Sequence, residues 1–360
     1  MKIVHVVQTL GMGGQERLIL NLSRELVRRG HEVSVLSLTP GGDLRSDFGS
    51  IPVHDVPRKS GFDAWIFGRM AVALARIGPD AVHTHNPAAM FYAVPAARIV
   101  RAKSIVHTKH GANIYGHRTL RLARAMSRLV TAFVCVSEGT ADTARVKERV
   151  REKILHVIPN GIPLADFGAD AKTRARLRSE LKIPEDAFVV GSVGRLATEK
   201  DYPLLVRAMS PLLAADVRLV FVGEGAARAE LEASIPATLR PFVTLTGSRR
   251  DVADLLTTFD VFSLTSKSEG LPLVVPEAMA THLPVVATAV GGLPSIVPHE
   301  VGILASSGDH EALTAAFRAL RDDAPRRKRM GLAAYRYAHD RFSLEKMTDD
   351  YERLYAGTRA

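Results

Sequence analysis

The residues best suited to chemistry are charged groups that follow short apolar runs in the second half of the chain. Arg195 and Lys200 lie five residues apart in the segment GSVGRLATEKDY, after a predicted strand. A guanidinium binds phosphate as a planar fork, and an ammonium binds it as a point charge. The pair could therefore clamp a diphosphate. Taken alone, the spacing favours two solvated surface charges.

A second group lies in the segment SKSEGLPLVVPEAM, where Glu269 and Glu277 are eight residues apart. Pro272 suits the first turn of a helix. The opening N–H groups of that helix, near Leu273 and Val274, would be available to a phosphate. Carboxylates on either side of such a helix start can accept hydrogen bonds from sugar hydroxyls. Capping explains one of the two acids but not the whole arrangement.

A glycine-rich loop, GMGGQER at residues 11–17, follows the first predicted strand and opens the first predicted helix. Gly13 and Gly14 would allow close approach of the backbone, and the helix N-terminus attracts anions. A dinucleotide-binding dehydrogenase would also need an acid at the end of the second strand. That strand ends in SLTP, so this class is disfavoured. The loop fits a phosphate site and a tight turn equally well.

The composition is that of a globular protein with two domains. Of its residues, 46% are hydrophobic and 24% are charged, as in soluble globular proteins. The chain has 360 residues, which is too long for the usual single core. Cys135 has no partner, so we expect no disulfide framework and a reducing, cytoplasmic compartment. The apolar start is too short for a signal peptide, and no apolar run reaches the roughly 20 residues of a membrane span.

The positive charge is concentrated in the first half. Residues 1–165 hold 23 Lys and Arg against 12 Asp and Glu, and the remainder holds 25 against 26. Between Asp80 and Glu138 there are eight bases and no acid. This suggests an anionic partner such as a lipid headgroup, a phosphate or a nucleic acid. A nucleic-acid partner is disfavoured because the sequence has no platform in which basic residues alternate with aromatic residues.

Residues 118–130 predict a basic amphipathic helix. Arg121, Arg124 and Arg128 recur at three- and four-residue spacing after Arg118. Another face carries three apolar residues: Leu122, Met126 and Leu129. Such a helix can lie on an anionic membrane. The solvated face of an ordinary helix explains the pattern equally well.

Short apolar runs alternate with helical patterns along the whole chain. In the first half the strand-like runs are KIVHVV, HEVSVLSL, DAVHTH, KSIVHT and TAFVCVS. In the second half they are FVVGSVG, VRLVFVG, FVTLTG, DVFSLTS and LPVVAT. This alternation predicts two α/β domains, each with a doubly wound parallel sheet. A turn signal at IPNGI, followed by a helical pattern over 163–180, places the boundary, and three helical patterns follow Asp309.

In combination these segments closely resemble the retaining glycosyltransferases of family 4. The glycine loop, DAVHTHN, HTKHG, IPNGI, the Arg/Lys pair and the E-x7-E pair of Glu269 and Glu277 occur in the family's order over nearly the whole chain. The resemblance implies the GT-B fold, in which two Rossmann-like domains face a central cleft. The domains would be an acceptor-binding domain at 1–163, a nucleotide-sugar-binding domain at 164–340 and a helix at 341–360 that packs back on the first.

The resemblance also implies roles for individual residues. The catalytic residues would be His110, facing the reacting centre, and Glu269, holding the sugar hydroxyls. Glu277 would bind the ribose, and the backbone near Arg249 would meet the base. The whole set implied for donor binding is Gly13, Gly14, Arg195, Lys200, Arg249, Gly270, Leu271, Leu273, Val274 and Glu277. A histidine at 110 in a surface or core role is the alternative.

The implied reaction is a hexosyl transfer with retention at the anomeric carbon, in which the leaving diphosphate serves as base. The donor would be a nucleotide sugar, with UDP ahead of GDP, and the acceptor a glycan or a lipid-linked glycan of the cell surface. We expect no cofactor and no metal, because no Asp-x-Asp motif is present and cations can stabilise the leaving group. Contact with the inner face of the membrane is the further expectation.

Two other functions share part of this pattern. A non-hydrolysing sugar-nucleotide epimerase has the same architecture, but would lack the ordered Arg/Lys and E-x7-E set. A non-catalytic sugar-nucleotide-binding protein would draw on the basic half. The chain also departs from the family pattern, with Asp201 where a glycine is common and Ser295 where an acid is common. These departures leave the sugar preference open.

Overall fold

The computed structural model describes residues 1–59, 63–111, 116–168 and 170–357; the side chains of His117 and Arg118 lie outside this description. The chain divides into two compact units. The first consists of Met1–Ile162 together with the segment that begins at Leu344, and the second is Pro163–Ser343. Each unit is built on one parallel sheet whose central strands are almost wholly buried, as in sheets covered by helices on both faces.

The first unit contains a seven-stranded sheet in the order β3-β2-β1-β4-β5-β6-β7. Its strands are β1 (Lys2–Val7), β2 (Glu32–Ser37), β3 (Val53–Asp55), β4 (Ala81–His85), β5 (Ser104–Lys109), β6 (Ala132–Cys135) and β7 (Leu155–Val157). The described α-helices that connect them are α1 (Gly14–Arg28), α2 (Trp65–Ile77), α3 (Asn86–Ile99), α4 (His117–Ser127) and α5 (Glu138–Thr143). Strand order reverses direction between β1 and β4, and ligands of such sheets bind at the carboxyl ends of the strands beside the reversal.

The second unit contains a six-stranded sheet in the order β10-β9-β8-β11-β12-β13. Its strands are β8 (Phe188–Val193), β9 (Val217–Val222), β10 (Val243–Leu245), β11 (Val261–Leu264), β12 (Val285–Thr288) and β13 (Gly302–Ala305). Its described α-helices are α6 (Ala171–Glu180), α7 (Tyr202–Met209), α8 (Arg228–Ser234), α9 (Val252–Leu256), α10 (Val274–Ala280), α11 (Leu293–Ile296), α12 (His310–Asp322) and α13 (Ala324–Arg341). The reversal lies between β8 and β11.

The last helix, α14 (Leu344–Tyr355), belongs to the first unit. Arg29, at the end of α1, donates to Asp349 at 2.5 Å and to Glu352 at 2.6 Å. Tyr351 and Tyr355 are buried against the sheet. The sequence placed a boundary at 340, but α13 continues to Arg341, so the chain passes between the units in the short connection after α13.

Two doubly wound α/β units are therefore present, and the three helical patterns after Asp309 are α12, α13 and α14. Two kinds of sequence expectation differ from the structure. The strands β3, β7 and β13 were not predicted, because they are short edge strands that are only partly buried and carry a weak apolar pattern. The predicted helix over 163–180 is only α6, which begins where the Asp170 carboxylate accepts from the backbone N–H groups of Lys172 and Thr173. Each described helix is too short or too polar to cross a bilayer.

Candidate active site

The charged residues of the second unit meet because they follow neighbouring strands. Arg195 and Lys200 lie on the loop after β8, and Glu269 lies on the loop after β11. These two strands pair in parallel, with Val261 opposite Val190. Their carboxyl ends therefore share one edge of the sheet, at the reversal of strand order, where the ligands of this architecture bind.

Lys200 and Glu269 form the centre of this site. The Lys200 ammonium donates to Glu269 Oε1 at 2.5 Å, and the Ser266 hydroxyl donates to the same oxygen at 2.5 Å. The two charged side chains are 18% and 10% exposed, so the pair is largely shielded from water. An ion pair removed from water depends on both partners, because loss of one leaves an uncompensated charge.

Arg195 has a different environment. Its guanidinium is 71% exposed and lies 3.1 Å from Glu199, four residues along the same loop. An exposed pair of this kind contributes little to stability. Arg195 can therefore leave Glu199 for a better anion at small cost. The predicted clamp thus consists of one shielded cation and one exposed cation.

The two loops are tied together by backbone contacts. The Lys267 N–H donates to the Glu199 carbonyl at 2.8 Å, and the Thr265 hydroxyl donates to the Asp201 carbonyl at 3.0 Å. Asp201 has φ of 45°, in the left-handed region that favours glycine and tolerates aspartate. This backbone geometry is the physical reason why a glycine suits this position.

A second glycine position is required by close packing behind Glu269. Gly291 has φ of 56°, and a Cβ placed on it would lie 1.9 Å from the Glu269 carbonyl oxygen. The neighbouring Gly292 N–H donates to the Gly270 carbonyl at 3.0 Å. The segment VVATAVGGLP therefore supports the Glu269–Gly270 backbone directly, and any larger residue at 291 would displace it.

The remaining donor-binding candidates of this unit surround the start of α10. Leu271 and Leu273 are buried, and Glu277 lies inside the helix at 6% exposure. The helix begins at Val274, so the expectation that Pro272 forms its first turn is wrong. Pro272 instead precedes it, and its carbonyl accepts from Val275 at 3.2 Å. Both acids of the E-x7-E pair are thus shielded, one on each side of the helix start.

Arg249 is held by the protein itself. Its guanidinium donates to both oxygens of Asp251, at 2.8 and 2.7 Å, and to Glu180 at 2.8 Å. These carboxylates raise the pKa of the guanidinium further. The side chain is therefore neutralised, which leaves the backbone as the part of Arg249 available to a ligand.

The candidates of the first unit follow β1 and β5. Gly13 is the residue before α1 and adopts extended backbone, and Gly14 is the first residue of the helix. His110 directly follows β5. The HTKHG motif covers residues 107–111, and residues 112–115, which follow it, lie outside the described residues. Both positions lie at the carboxyl edge of the first sheet.

His110 belongs to a buried histidine cluster that includes His5, His83 and His85. His5 lies opposite His83 in the pairing of β1 with β4, and His85 is two residues further on the same face. His5 Nδ1 lies 3.0 Å from His85 Nε2, and His85 Nδ1 lies 3.0 Å from His110 Nε2. His83 bonds instead to the hydroxyls of Tyr355 and Thr108, each at 2.7 Å.

Burial keeps these imidazoles neutral. Desolvation lowers the pKa of His5 and of His110 to about 3. It also lowers the pKa values of His83 and His85 well below 6.5, with neighbouring imidazoles adding to the effect. At neutral pH the cluster consists of uncharged rings, each of which carries one proton and one lone pair.

Ring nitrogens of His5, His83 and His85 lie within 4.8 Å of one another, and neutral imidazoles are good ligands of transition metals. Each nitrogen of His83 and His85 already has a hydrogen-bond partner in the protein. A metal would therefore have to replace several of these bonds. Hydrogen bonding alone accounts for most of the arrangement.

Sequence reasoning missed His5, His83 and His85 as well as Ser266 and Gly291. The signal was the single histidine in KIVHVV and the two histidines of DAVHTH, which share a face because residues two apart on a strand point the same way. Which strands are neighbours was needed to read it. The sequence also did not show that two basic residues of the stretch between Asp80 and Glu138 are paired with acids. Lys103 lies 2.9 Å from Asp80, and Lys109 forms a buried pair with Glu148.

The basic helix is α4 together with Arg128, the residue that follows it, and the three arginines at its predicted spacing differ. Arg121 and Arg128 are exposed. Arg124 donates to the Lys147 carbonyl at 3.0 and 2.8 Å, so it has a structural role. Leu122 is 44% exposed beside Arg121, whereas Met126 and Leu129 pack on the core. The Arg118 side chain lies outside the described residues.

Comparison with known proteins identifies the family of the chain. Residues 12–166 match the family model of glycosyltransferase family 4, and residues 173–337 match that of the group 1 glycosyl transferases. The chain is 29% identical to the lipopolysaccharide core biosynthesis glycosyltransferase LpsD of Rhizobium meliloti, over 99% of this chain and 98% of that protein.

A GDP-mannose-dependent alpha-mannosyltransferase of Mycobacterium tuberculosis is 30% identical, over 83% of this chain and 82% of that protein. Among solved structures, Anabaena HepE in complex with UDP has a TM-score of 0.89 at 21% identity, covering 99% of this chain and 100% of the other. That likeness shows a common fold. Because both family models match in order and the Mycobacterium relative matches across most of its length, this chain belongs to glycosyltransferase family 4 and is a glycosyltransferase with the GT-B fold.

Proposed function

We propose that this glycosyltransferase transfers a sugar, with retention of anomeric configuration, from a nucleoside-diphosphate sugar to a glycan or lipid-linked acceptor in cell-surface polysaccharide or glycoconjugate synthesis. The observation that carries the proposal is the edge of the second sheet. There Arg195, Lys200 and Glu269 follow the two strands beside the reversal of strand order, with Lys200 already 2.5 Å from Glu269. The LpsD relative supports the assignment to surface polysaccharides.

The arrangement suits a diphosphate and a sugar side by side. Lys200 would hold the diphosphate from a shielded position, and Arg195 would close on it from solvent. Glu269, freed from part of its contact with Lys200, would accept hydrogen bonds from sugar hydroxyls. Glu277 would hold the ribose, and the backbone near Arg249 the base. Such preorganised charges stabilise the negative charge that develops on the leaving group.

In this reaction the bond between the anomeric carbon and the diphosphate oxygen breaks, and a bond from the same face to the acceptor hydroxyl oxygen forms. The acceptor proton passes to the departing diphosphate. Because the base is the leaving group, the protein need not supply a nucleophile. We infer that cations replace a divalent metal, so that transfer is independent of added metal.

UDP is the first candidate for the nucleotide, and the fold shared with HepE, which was solved with UDP, supports it. GDP is second, supported by the GDP-mannose-dependent relative. A thermal-shift screen of UDP- and GDP-sugars tests the choice. A ligand at 100 times its Kd adds about 2.7 kcal/mol to the stability of the folded state. The nucleotide sugar that raises Tm should then be turned over, with retention seen by NMR of the product.

Failure would be a screen in which no nucleotide sugar raises Tm and none is hydrolysed or transferred. A product of inverted configuration would overturn the retaining mechanism while leaving the donor site intact. The Lys200→Ala protein serves as the control, since it should lose the shift caused by the correct donor.

A further part of the proposal concerns the acceptor. The exposed arginines and Leu122 of α4 form a basic, partly apolar surface on the first unit. We infer that this surface contacts anionic lipid on the inner face of the cell membrane, which would bring the enzyme to a lipid-linked acceptor.

A further inference from the structure

Three imidazoles in the first unit form a continuous hydrogen-bonded series, which we call the imidazole chain. His5 Nδ1 contacts His85 Nε2 at 3.0 Å, and His85 Nδ1 contacts His110 Nε2 at 3.0 Å. The chain begins in the middle of β1, passes through the last residue of β4 and ends just after β5. Its two outer atoms, His5 Nε2 and His110 Nδ1, are shielded from solvent and have no hydrogen-bond partner within the described part of the chain.

The number of protons on the imidazole chain is fixed. Three neutral rings carry three protons, and each of the two contacts needs one proton between its nitrogens. The third proton must therefore lie on one of the two outer atoms. Either every ring carries its proton on Nδ1, and His110 presents an N–H, or every ring carries it on Nε2, and His110 presents a lone pair.

The surroundings of the two ends decide between these states. His5 lies in the middle of β1 and is fully buried, with its ring beside those of His83 and His85. An N–H on His5 Nε2 would remain without an acceptor, and buried N–H groups without acceptors are rare. His110 lies at the carboxyl edge of the sheet, where ligands bind, and is itself partly exposed. An N–H on His110 Nδ1 is shielded in the free protein. Unlike an N–H on His5, it can gain an acceptor when a substrate occupies this edge of the sheet.

We propose that His5 and His85 are positioning residues that hold His110 in the tautomer with its proton on Nδ1, so that His110 donates a hydrogen bond to an oxygen of the bound substrate. This inference rests on the proposed function, since it places His110 at the reacting centre. It assigns His110 the role of a donor that stabilises charge or orients a hydroxyl, and not that of a base. The low pKa of His110 agrees, because a group of that pKa accepts a proton poorly at neutral pH.

The mutational test changes the far end of the chain, away from substrate. His5→Phe keeps the ring shape but removes both nitrogens, whereas His5→Asn keeps an amide donor near the Nδ1 position. His83→Phe is the matched control, because His83 is equally buried on the same sheet face but is not part of the imidazole chain. It bonds instead to Tyr355 and Thr108. Loss of one buried hydrogen bond that positions His110 corresponds to about a fivefold change in a rate or equilibrium constant.

We expect kcat of His5→Phe to fall about fivefold or more, with KM for the nucleotide sugar unchanged and with partial recovery in His5→Asn. His83→Phe should lose at least as much thermal stability while it keeps kcat. Equal loss of kcat in His5→Phe and His83→Phe, in proportion to stability, would reduce His5 to a packing residue and overturn the proposal.

The tautomer itself can be observed without turnover. In protein labelled with 15N-histidine, with the His110 signals assigned from a His110→Gln variant, the proton should lie on Nδ1 in the native chain and should shift toward Nε2 in His5→Phe. A native proton on Nε2, or a tautomer unaffected by His5→Phe, would overturn the proposal even if transfer is confirmed. Failure of the proposed function would instead appear as absence of nucleotide-sugar binding, whatever the NMR result.

Discussion

The carboxyl edges of the two sheets occupy equivalent places in the fold but have opposite chemistry. In the second unit the edge carries Arg195, Lys200 and Glu269, with one charge pair shielded and one cation exposed. In the first unit the corresponding edge is supported by neutral imidazoles that are almost wholly buried. One topology thus provides a charged edge in one unit, which we propose holds the donor diphosphate, and an uncharged network of hydrogen bonds in the other.

The difference follows from what each edge must do before a ligand arrives. A diphosphate needs fixed positive charge, and that charge is kept near carboxylates so that it is not left isolated in the free protein. A donor of a single directed hydrogen bond needs a defined proton, which burial and neighbouring rings can supply without net charge. The two edges should therefore respond differently to acid, mutation, lipid and chelation.

Acid should have the largest effect, and on the first unit. Burial holds the pKa values of His5, His107 and His110 at about 3, against about 6.5 in the unfolded chain. Between these pKa values the unfolded chain binds more protons than the folded chain. The free energy of unfolding therefore reaches its full value above pH 6.5 and decreases as the pH falls below it. The loss is about 1.4 kcal/mol per pH unit for each histidine.

Hydrogen exchange followed by mass spectrometry at pH 7.5, 6.0 and 5.0 can resolve this loss by unit, after correction for the intrinsic exchange rate. The second unit is the internal control, since its one lowered histidine pKa, that of His282, concerns a partly exposed group. Simultaneous loosening of both units would contradict the prediction.

Lys200→Ala should have the next largest effect. The change removes a diphosphate contact and leaves the shielded carboxylate of Glu269 without its cation. Loss of a shielded charge pair between the protein and its ligand costs about 2 to 5 kcal/mol of binding free energy, so the missing contact between Lys200 and the diphosphate should lower kcat/KM for the donor about 30-fold or more. Lys267→Ala is the control, because the 55% exposed Lys267 faces Asp201 and not Glu269. Similar kinetics for the two variants would reject the clamp.

Arg195→Ala should weaken binding of the nucleotide-sugar donor less than Lys200→Ala does, because the Arg195 side chain is exposed and its partner Glu199 is left in water. Loss of a charge-assisted hydrogen bond costs about 1.5 to 3 kcal/mol, and the exposed position places Arg195 at the lower end of that range. Donor Kd by calorimetry measures the order. A larger effect at Arg195 than at Lys200 would reverse the assignment of the shielded and exposed cations.

Membrane contact should be weaker still and confined to the first unit. Each base near an anionic surface contributes about 1 kcal/mol, and salt screens the contribution over about 8 Å at physiological ionic strength. Replacement of Arg121 and Arg128 by Ser should therefore lower co-sedimentation with phosphatidylglycerol vesicles at low salt. Arg124 is retained because it holds the Lys147 carbonyl.

The control for this experiment replaces Arg318 and Arg329, two exposed arginines of the second unit, by Ser. It changes net charge by the same amount on the other unit. Equal binding by both double variants would show that total charge, and not the α4 surface, governs adsorption. Absence of binding by the native chain would remove the membrane from the proposal.

Chelation should have no effect on transfer, since Arg195 and Lys200 supply the positive charge that a divalent ion would otherwise provide. Activity with and without EDTA, followed by addition of Mg²⁺ or Mn²⁺, tests this. Loss on chelation with recovery on addition of either ion would show that the cations of the second unit are insufficient by themselves.

Much of the fold could be predicted because it depends on local patterns. The alternation of apolar runs with amphipathic stretches was enough for two parallel sheets and for the division near residue 163. Short edge strands escaped, as β3, β7 and β13 did, because they are only partly buried and carry a weak apolar pattern. The start of α10 was misplaced because proline is compatible with the turn before a helix as well as with its first residue.

The sequence by itself determined the two α/β units and the order of the motifs that mark the family, because both are written in short stretches of chain. The tertiary structure alone decided which of those residues meet. Lys200 contacts Glu269 across 69 residues, and His5 contacts His85 across 80 residues. Such contacts depend on strand order and on the face toward which each side chain points. A change of one residue in register would turn every side chain of a strand to the opposite face.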